Sequence, residues 1–358
     1  MQRKTPDVAD PQQTGWICSQ VQQIVRKWPP TSPSRSVRVP TVSKFTIDEG
    51  EWRVRGGRRI EWQTVVLAVV VHGAIVGVLW AHRAVPGWLT VPVLAVLGAW
   101  FGSLQHEVIH RHPTPSAAFN RLAVPLPLAL WVPFERYRQS HLAHHDSDLT
   151  MPGHDPETFY CTPDEWSSMG PFVRRITWVN CTILGRLTIG PAIAMVKYGR
   201  YEITQFRRDA ASRPYLVSHV VEMAVTAWLV FGGIGFPVWQ YLVGFCYFGT
   251  ALTMLRSFAE HRPINGDHQV FDGMTRSAVV RSAGFFGLMF LNNNLHHTHH
   301  ARPGVAWYRL KQVHAEMGSD EIAAAGAGWY RSYGELIWRY LVRPFCQPEH
   351  PLLASVEP

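Results

Sequence analysis

The sequence predicts an all-α membrane protein with four transmembrane helices in two hairpins. The first observation is four apolar segments, each close to the roughly 17–25 residues that cross a hydrocarbon core of about 30 Å. The second is tryptophan at or near several segment ends, where aromatic rings favour the membrane interface. The third is the near absence of Lys and Arg from the links inside each hairpin. The segments are Trp62–Trp80, Trp88–Leu104, Tyr215–Phe236 and Pro237–Leu255.

The absence of charge distinguishes these segments from ordinary core helices. The first, second and fourth contain no charged residue, whereas Tyr215–Phe236 is weaker because it includes His219 and Glu222. The alternative is a set of buried helices in a soluble protein. Uncharged runs of this length argue against that alternative, because helices of soluble proteins carry a polar face.

The positive residues predict the orientation of the spans. Of the 34 Lys and Arg residues, 11 lie in residues 1–61, 12 in residues 105–214 and 10 from Arg256 onward. Only Arg83 lies between the first two segments, and none lies between the last two. Because cytoplasmic loops are enriched in Lys and Arg, the N-terminus, the central loop and the C-terminus are predicted to be cytoplasmic.

The chain as a whole is basic, with a formal net charge of +8. A cytoplasmic face of this charge would lie against anionic lipid headgroups and attract an acidic redox partner. Nucleic acid is the competing interpretation, but the sequence contains no recognition motif for it. The five cysteines are scattered without a CxxC pair, so neither a disulfide framework nor a zinc ribbon is indicated.

Eighteen histidines are present, and most of them fall into clusters on the predicted cytoplasmic side. The clusters read "HEVIH", "HLAHH" and "HHTHH", and His261 follows the end of the fourth segment by six residues. A run such as "HHTHH" alone fits a surface tract as well as a metal site. Residues three or four apart share a helix face, so each cluster can direct two or three imidazoles to one point.

The type and number of these ligands narrow the metal. Imidazole suits zinc, copper, iron and nickel, whereas calcium and magnesium prefer oxygen. A mononuclear zinc site is complete at four ligands, so eight or nine histidines are too many for it. They are enough for two ions that each keep a place for water, oxygen or substrate. The sequence therefore predicts a dinuclear, redox-capable centre in a helical cytoplasmic cap.

At these clusters the sequence resembles the membrane fatty acid desaturase family, which carries H-x(3,4)-H, H-x-x-H-H and H/Q-x-x-H-H motifs. The resemblance covers roughly residues 60–310 and includes "DPETFY" after the second cluster and "EHRP" around His261. It implies a di-iron centre above a four-helix transmembrane core, with O2 as co-substrate. It also implies that oxygen and two electrons are used to attack an unactivated C–H bond of a fatty acyl or related lipid.

Carried over by position, the resemblance implies nine iron ligands. One departure is Ser257, which stands four residues before His261, where some members of the family place an Asn that holds an iron-bound water. Of the other histidines, His112, His154 and His297 are expected near the ligands or on the surface, and His72 and His219 to be structural. The implied ligands are His106, His110, His141, His144, His145, His261, His296, His299 and His300.

Several polar residues are expected to orient these imidazoles through their second nitrogen, as metal-bound histidines usually require. Electrons must come from a separate ferredoxin, rubredoxin or cytochrome-type donor, because the sequence has no haem, iron–sulfur or dinucleotide-binding motif. The candidate orienting residues are Glu107, Glu260, Asp146, Asp148, Asp155, Asn292, Asn293 and Asn294.

The resemblance divides the chain into three parts and leaves alternatives open. We expect a disordered basic cytoplasmic arm at residues 1–60, a desaturase-like catalytic domain at residues 61–310 and a cytoplasmic tail at residues 311–358. The expected location is the cytoplasmic membrane, with the active site facing the cytoplasm. A membrane di-iron hydroxylase is the alternative enzyme, and a non-catalytic metal-binding or transport protein is the alternative outside enzymes.

Overall fold

The structure is a computed structural model that describes residues 60–263 and 276–354. Except for Ile60, the predicted basic arm lies outside the described residues. The described chain is mostly helical and contains four helical segments long and apolar enough to cross a membrane, which confirms the predicted fold class. These spans are Trp62–Arg83, Gly87–Ile109, Ala210–Gly233 and Val238–Ala259.

The remaining elements form a cap at one end of the spans. Two short strands, β1 (Val279–Ser282) and β2 (Trp329–Ser332), pair in parallel with Val280 opposite Tyr330.

The third and fourth spans include π-helical turns at Trp228–Gly233 and Leu242–Phe248. The α-helices in chain order are α1 (Trp62–Trp80), α2 (Gly87–Ile109), α3 (Ala117–Asn120), α4 (Phe134–His145), α5 (Pro163–Ser168), α6 (Pro171–Val179), α7 (Ile183–Thr188), α8 (Gly190–Arg208), α9 (Arg213–Ala227), α10 (Val238–Tyr241), α11 (Gly249–Arg256), α12 (Phe285–Met289), α13 (His296–Ala301), α14 (Leu310–Met317), α15 (Ser319–Ala325), α16 (Tyr333–Tyr340) and α17 (Pro351–Ala354).

The tips of the two hairpins lie on the same side of the bundle. The ring of His82, after α1, contacts the ring of Phe236 with 5.3 Å between centroids. Leu79 and Phe236 belong to the same buried apolar cluster. The histidine clusters lie at the other ends of the spans, so all of them share one face of the membrane core.

Glycines allow the second and fourth spans to pack closely. Gly98 on α2 faces Gly249 on α11, and a Cβ built on Gly98 would lie 2.5 Å from the carbonyl oxygen of Phe245. A Cβ on Gly244 would likewise lie 2.8 Å from the carbonyl oxygen of Val91. Small residues at such crossings bring two helix backbones into direct contact, which is how helices associate in a membrane. This contact holds α2, which carries the first histidine cluster, against the span that leads to His261.

The helix of the second span extends beyond the predicted apolar segment. That segment ends at Leu104, whereas α2 continues to Ile109 and includes His106. Gln105, His106 and Glu107 are buried, so the cap covers these polar side chains. The helix can therefore continue through them without a break.

The chain after residue 310 packs against the preceding region. β2 lies in the segment that sequence analysis separates as a C-terminal tail, yet it pairs with β1 from the preceding segment. Tyr333 and Leu336 of α16 belong to a buried cluster that also includes Ala99 of α2 and Phe258. This cluster joins the cap to the ends of the second and fourth spans.

Candidate metal centre

The first histidine cluster lies at the end of α2. His106 is inside the helix and His110 is the residue that ends it, so the two are one turn apart. Their rings lie 4.8 Å apart between centroids. A transmembrane helix therefore delivers the first two imidazoles directly to the base of the cap.

The second cluster occupies the last turns of α4. His141 and His145 are four residues apart and share a face, with 4.8 Å between ring centroids. His144 precedes His145 by one residue and so points about 100° away around the helix axis. A buried ion pair between Arg136 and Glu202 of α8, 2.9 Å long, anchors the start of this helix. One helix thus supplies imidazoles in two directions.

The third cluster repeats this arrangement on α13. His296 and His300 are four residues apart and share a face, with 4.6 Å between ring centroids. His299 is offset from them and turns toward His106, whose ring centroid lies 4.6 Å away. α13 therefore also divides its imidazoles between two points.

These directions produce two groups of imidazoles. Within each group the candidate ligand atoms all lie within 4.8 Å of one another. The first histidine group consists of His106, His110, His141 and His299, and the second histidine group consists of His144, His261, His296 and His300.

His145 lies between the two groups. Its Nε2 atom is 3.1 Å from the Nε2 atoms of both His141 and His299 in the first histidine group. Its ring stacks on that of His300 in the second group, with 4.2 Å between centroids. All nine histidines implied by the family resemblance are therefore brought together at one place.

The distances between ring nitrogens fit metal ligands. His144 and His296 each place Nε2 about one hydrogen-bond length from Nε2 of His261, at 3.0 and 2.9 Å. Nε2 of His110 is 3.0 Å from Nε2 of His141. Two nitrogens bound at right angles to one ion at about 2.1 Å are about 3.0 Å apart, whereas tetrahedral angles separate them by about 3.4 Å. The observed spacing therefore lies close to the separations expected for two nitrogens bound to one ion.

Hydrogen bonds alone cannot satisfy this arrangement. The buried Nε2 atoms of His106 and His300 have no hydrogen-bond partner among the described residues. The Nε2 atoms of His141, His145 and His299 meet at one point, and a neutral imidazole has one N–H for its two nitrogens. A cation that accepts several lone pairs at once would satisfy these nitrogens. The residues present therefore fit a metal.

Burial also favours the protonation state that binds metal. Burial, together with the charge that neighbouring imidazoles would carry, keeps the pKa of His110, His299 and His300 well below the usual value. The same two causes, with burial the larger, lower the pKa of His261 to about 3. These imidazoles are neutral at neutral pH, and the neutral form donates a lone pair to a metal.

Acidic and amide groups hold the second nitrogen of several imidazoles. Nδ1 of His144 lies 2.7 Å from Oδ1 of Asp155, and both side chains are buried. Burial alone would lower the pKa of His144, but the charge of Asp155 outweighs it and raises this pKa to about 9. Without a metal this pKa leaves His144 protonated on both nitrogens at neutral pH, so a metal would displace the proton from Nε2, which faces His261, while Asp155 holds the proton on Nδ1. Such partners fix the tautomer and orientation of metal-bound histidines.

Three further imidazoles have partners of this kind. Nδ1 of His141 lies 3.3 Å from Oε1 of Glu157, and Nδ1 of His296 lies 3.3 Å from Oδ1 of Asn293. Nδ1 of His296 is also 3.4 Å from Oε1 of Glu260. Nδ1 of His261 is 3.3 Å from Oγ of Ser277. Sequence analysis missed Glu157 and Ser277, although Glu157 lies within the "DPETFY" stretch that it singled out.

Five of the eight residues that were expected to orient imidazoles make other contacts instead. Glu107 accepts the backbone N–H of Trp307, and Asp148 pairs with Arg276. Asn292 and Asn294 donate to backbone carbonyls, and the backbone N–H of Asp146 caps α4. Asp155, Glu260 and Asn293 are the three that reach an imidazole nitrogen.

His112, His154, His297 and Ser257 belong to neither histidine group. His112 pairs with Glu61 at 2.8 Å, and burial, which lowers its pKa, is outweighed by this hydrogen bond, which raises it. His297 is buried and His154 is exposed. Ser257 donates to the carbonyl oxygen of Met254 at 3.4 Å.

Four apolar spans capped by two groups of buried imidazoles define an integral membrane protein with a metal-capable histidine centre. The family model described as "Fatty acid desaturase" matches residues 83–334, which include all nine histidines of the centre. The chain therefore belongs to the fatty acid desaturase family, whose membership implies an oxidoreductase of the membrane desaturase or hydroxylase type. A search of curated proteins found no match.

Proposed function

We propose that this protein is an oxygen-dependent di-iron desaturase that introduces a double bond into a fatty acyl chain or related lipid. The observation that carries the proposal is the meeting of nine imidazoles from three sequence-distant clusters and His261. Several pairs of their nitrogens lie about 3 Å apart near the end of α2, and within each histidine group the candidate ligand atoms lie within 4.8 Å of one another. A purely structural histidine cluster would pair its nitrogens, whereas here the buried Nε2 atoms of His106 and His300 have no hydrogen-bond partner among the described residues.

The proposed ligands divide between two iron ions. The first histidine group together with His145 would hold one iron, and the second histidine group would hold the other. A bound pair of irons supplies the oxygen-dependent chemistry that removes hydrogen from an unactivated C–H bond. The second iron would have four imidazoles against five at the first, which leaves it more room for oxygen or water. Ser257, which is bonded to its own turn, is not assigned as a ligand.

Carboxylates orient the imidazoles of this centre, and the cap shields them from water. Asp155 and Glu157 accept the Nδ1–H groups of His144 and His141, which directs both Nε2 lone pairs inward. Five of the nine imidazoles are buried, and the rest are partly buried, so the surrounding cap excludes most water. Exclusion of water prevents side reactions during oxidation. We assign Asp155 and Glu157 to orienting the ligands, and we assign neither of them to removing a proton from the substrate.

The position of the centre fits a substrate that arrives from the bilayer. His106 belongs to α2, one of the four candidate spans, which supports a centre near the point where a lipid chain leaves the hydrocarbon region. An apolar pocket of about 530 Å³ lies beside the fourth span, between Leu130 and Phe248. Its lining, which includes Trp131 and Met195, offers a surface on which a hydrocarbon chain can pack.

The remaining sequence expectations are part of the same proposal. We place the centre on the cytoplasmic side of the cytoplasmic membrane, because Lys and Arg are enriched on that side of the spans. A separate ferredoxin, rubredoxin or cytochrome-type protein would supply electrons. Residues 61–310 would form the catalytic domain, with residues 1–60 as a basic arm and residues 311–358 as a cytoplasmic tail.

Product mass tests the proposed reaction. Membranes that contain the protein are incubated with an acyl lipid, O2 and a reduced electron donor, and the lipids are analysed by mass spectrometry. Desaturation lowers the product mass by two hydrogen atoms, whereas hydroxylation raises it by one oxygen atom. A hydroxylated product would replace the proposal with the hydroxylase, and zinc-loaded protein without oxygen uptake would favour a non-catalytic metal-binding protein.

A further inference from the structure

A second cavity, of about 470 Å³, lies in the cap apart from the histidine groups. We call it the cap cavity, and it is enclosed by the end of β1, the start of α12, α14 and the start of α15. Its lining carries two cations and two carboxylates, Arg281, Lys311, Asp320 and Glu321. A lining that balances charge in this way favours a neutral zwitterion over a simple anion.

One buried acceptor on the cavity wall has no partner. Asn294 is 4% exposed and lines the cavity, and its Oδ1 atom has no hydrogen-bond partner among the described residues. Its Nδ2 atom donates to the carbonyl oxygen of Val280 at 2.8 Å, which fixes the orientation of the amide. A buried acceptor left without a donor is costly, so a ligand that donates a hydrogen bond there would be stabilised.

Two of the four charges are also unused. Asp320 is engaged by Arg281, by Nε2 of His314 at 2.9 Å and by Nε1 of Trp329 at 3.0 Å. Lys311 and Glu321 are exposed and take part in no hydrogen bond or ion pair within the described ranges. The cavity therefore offers one free cation, Lys311, one free anion, Glu321, and the acceptor of Asn294.

The cavity also borders an exposed apolar surface. α12 forms part of its wall and exposes two large apolar side chains, Phe285 at 60% and Leu288 at 49%. The other face of α12 packs through Phe286 and Met289 into the buried cluster that includes Ala99 of the second span. Exposed aromatic and aliphatic side chains beside a transmembrane helix are typical of segments that lie in the membrane interface.

We propose that the cap cavity binds the headgroup of a zwitterionic phospholipid with a primary ammonium, such as phosphatidylethanolamine. Lys311 would pair with the phosphate, Glu321 would pair with the ammonium, and Asn294 Oδ1 would accept one of its N–H groups. Phe285 and Leu288 would contact the acyl chains at the interface. The cavity needs neither iron nor turnover for binding, so this proposal stands or falls separately from the proposed oxidation.

Lipid binding to the purified full-length chain tests the proposal. Phosphatidylethanolamine, phosphatidylcholine and phosphatidylglycerol with the same fluorescent acyl chain are titrated into the protein in detergent micelles. We expect phosphatidylethanolamine to bind about tenfold more tightly than phosphatidylglycerol, because a charged hydrogen bond is gained. Phosphatidylcholine should bind more weakly than phosphatidylethanolamine, because its quaternary ammonium has no N–H to donate.

Two variants assign the contacts. Glu321→Gln should remove the preference for phosphatidylethanolamine over phosphatidylglycerol, and Lys311→Gln should weaken both lipids by about tenfold. The matched controls are Glu316→Gln on the exposed side of α14 and Arg208→Gln at the end of α8, which lie outside the cavity lining and should change neither lipid. Thermal unfolding of each variant in detergent checks that the fold is intact.

Three results would overturn the proposal. Equal binding of phosphatidylethanolamine and phosphatidylglycerol, or unchanged binding in both cavity variants, would show that the cap cavity is not a headgroup site. Equal binding of phosphatidylethanolamine and phosphatidylcholine would remove the primary ammonium from the assignment. Displacement of the labelled lipid by soluble phosphoethanolamine at equal concentration would assign the cavity to a soluble zwitterion and overturn the lipid source.

Discussion

The Nε2 atom of His145 lies 3.1 Å from the Nε2 atom of His299, although 154 positions separate the two residues in the sequence. His145 ends α4, and His299 lies on α13, so two elements of the cap meet through their imidazoles. Nothing in the local sequence of either helix requires this contact. Ligation of one ion by both residues, as proposed above, would account for the two nitrogens pointing to the same place.

Replacing one member of a histidine group should remove one metal ion. We expect His299→Ala to bind about half the metal of the native protein and to lose product formation, because the first group loses a ligand while the second keeps all four. Metal analysis of the purified variant and product analysis measure both effects. His154→Ala is the matched control, since His154 is exposed and belongs to neither group. Native metal content in His299→Ala would remove that residue from the proposed ligands.

The carboxylate of Asp155 should control metal affinity through His144. In Asp155→Asn, the amide can no longer accept from both His144 Nδ1–H and the backbone N–H of Thr150, which the two carboxylate oxygens now accept separately. Loss of such a partner typically lowers metal affinity by about 10–100-fold. Titration with a competing chelator measures this change. Asp164→Asn, at an exposed helix start, should leave affinity unchanged, and an unchanged Asp155→Asn would contradict the orienting role.

The glycine contact between the second and fourth spans should be sensitive to a single methyl group. Gly98→Ala would place Cβ 2.5 Å from the carbonyl oxygen of Phe245, and backbone must move to relieve this contact. We expect the free energy of unfolding to fall by about 1–3 kcal/mol, the usual cost of overpacking. Thermal unfolding in detergent measures the loss.

Gly77→Ala provides the control for this substitution. Gly77 lies on α1, and a Cβ there would have no atom within 4 Å. The same chemical change should therefore leave the unfolding temperature nearly unaltered. Equal effects of the two substitutions would show that the crossing of the second and fourth spans is not the constraint.

The orientation of the spans can be tested with reporter fusions. Alkaline phosphatase, which is active only outside the cytoplasm, should be inactive when fused after Pro358 and active when inserted after Ala84 at the tip of the first hairpin. A fluorescent protein that folds in the cytoplasm should give the opposite pattern. Both results follow from the positive residues outside the hairpin tips. The reverse pattern would place the histidine centre on the other side of the membrane.

The parts of the fold that could be predicted from sequence are those set by local pattern. Apolar length predicted the four spans, and the family motifs predicted which histidines would meet. The i, i+4 spacing places His141 and His145 on one helix face, and His296 and His300 on another. The division into two groups can be recognised from this spacing only when both segments are known to be helices. The apolar segment ends at Leu104, before His106. The continuation of the helix could not be predicted, because the burial of Gln105 and Glu107 depends on a cap that folds over them.

The rest depends on contacts between distant segments. Ser277 reaches His261 across 16 residues, part of which lies outside the described ranges. β1 and β2 have four residues each, too few for a strand pattern to stand out, and their pairing links segments about 50 residues apart. The cap cavity likewise combines Asn294, Lys311 and Glu321 from three separate elements. Such contacts produce no periodic pattern in the sequence, so they could not be predicted from it.

Metal analysis of the purified full-length protein tests the central claim most directly. The account predicts about two iron ions per chain, which nine histidine ligands can hold in two separate sites. Reduced protein should also consume O2 when substrate lipid is present. A single bound ion, or tightly bound zinc without oxygen uptake, would contradict the account.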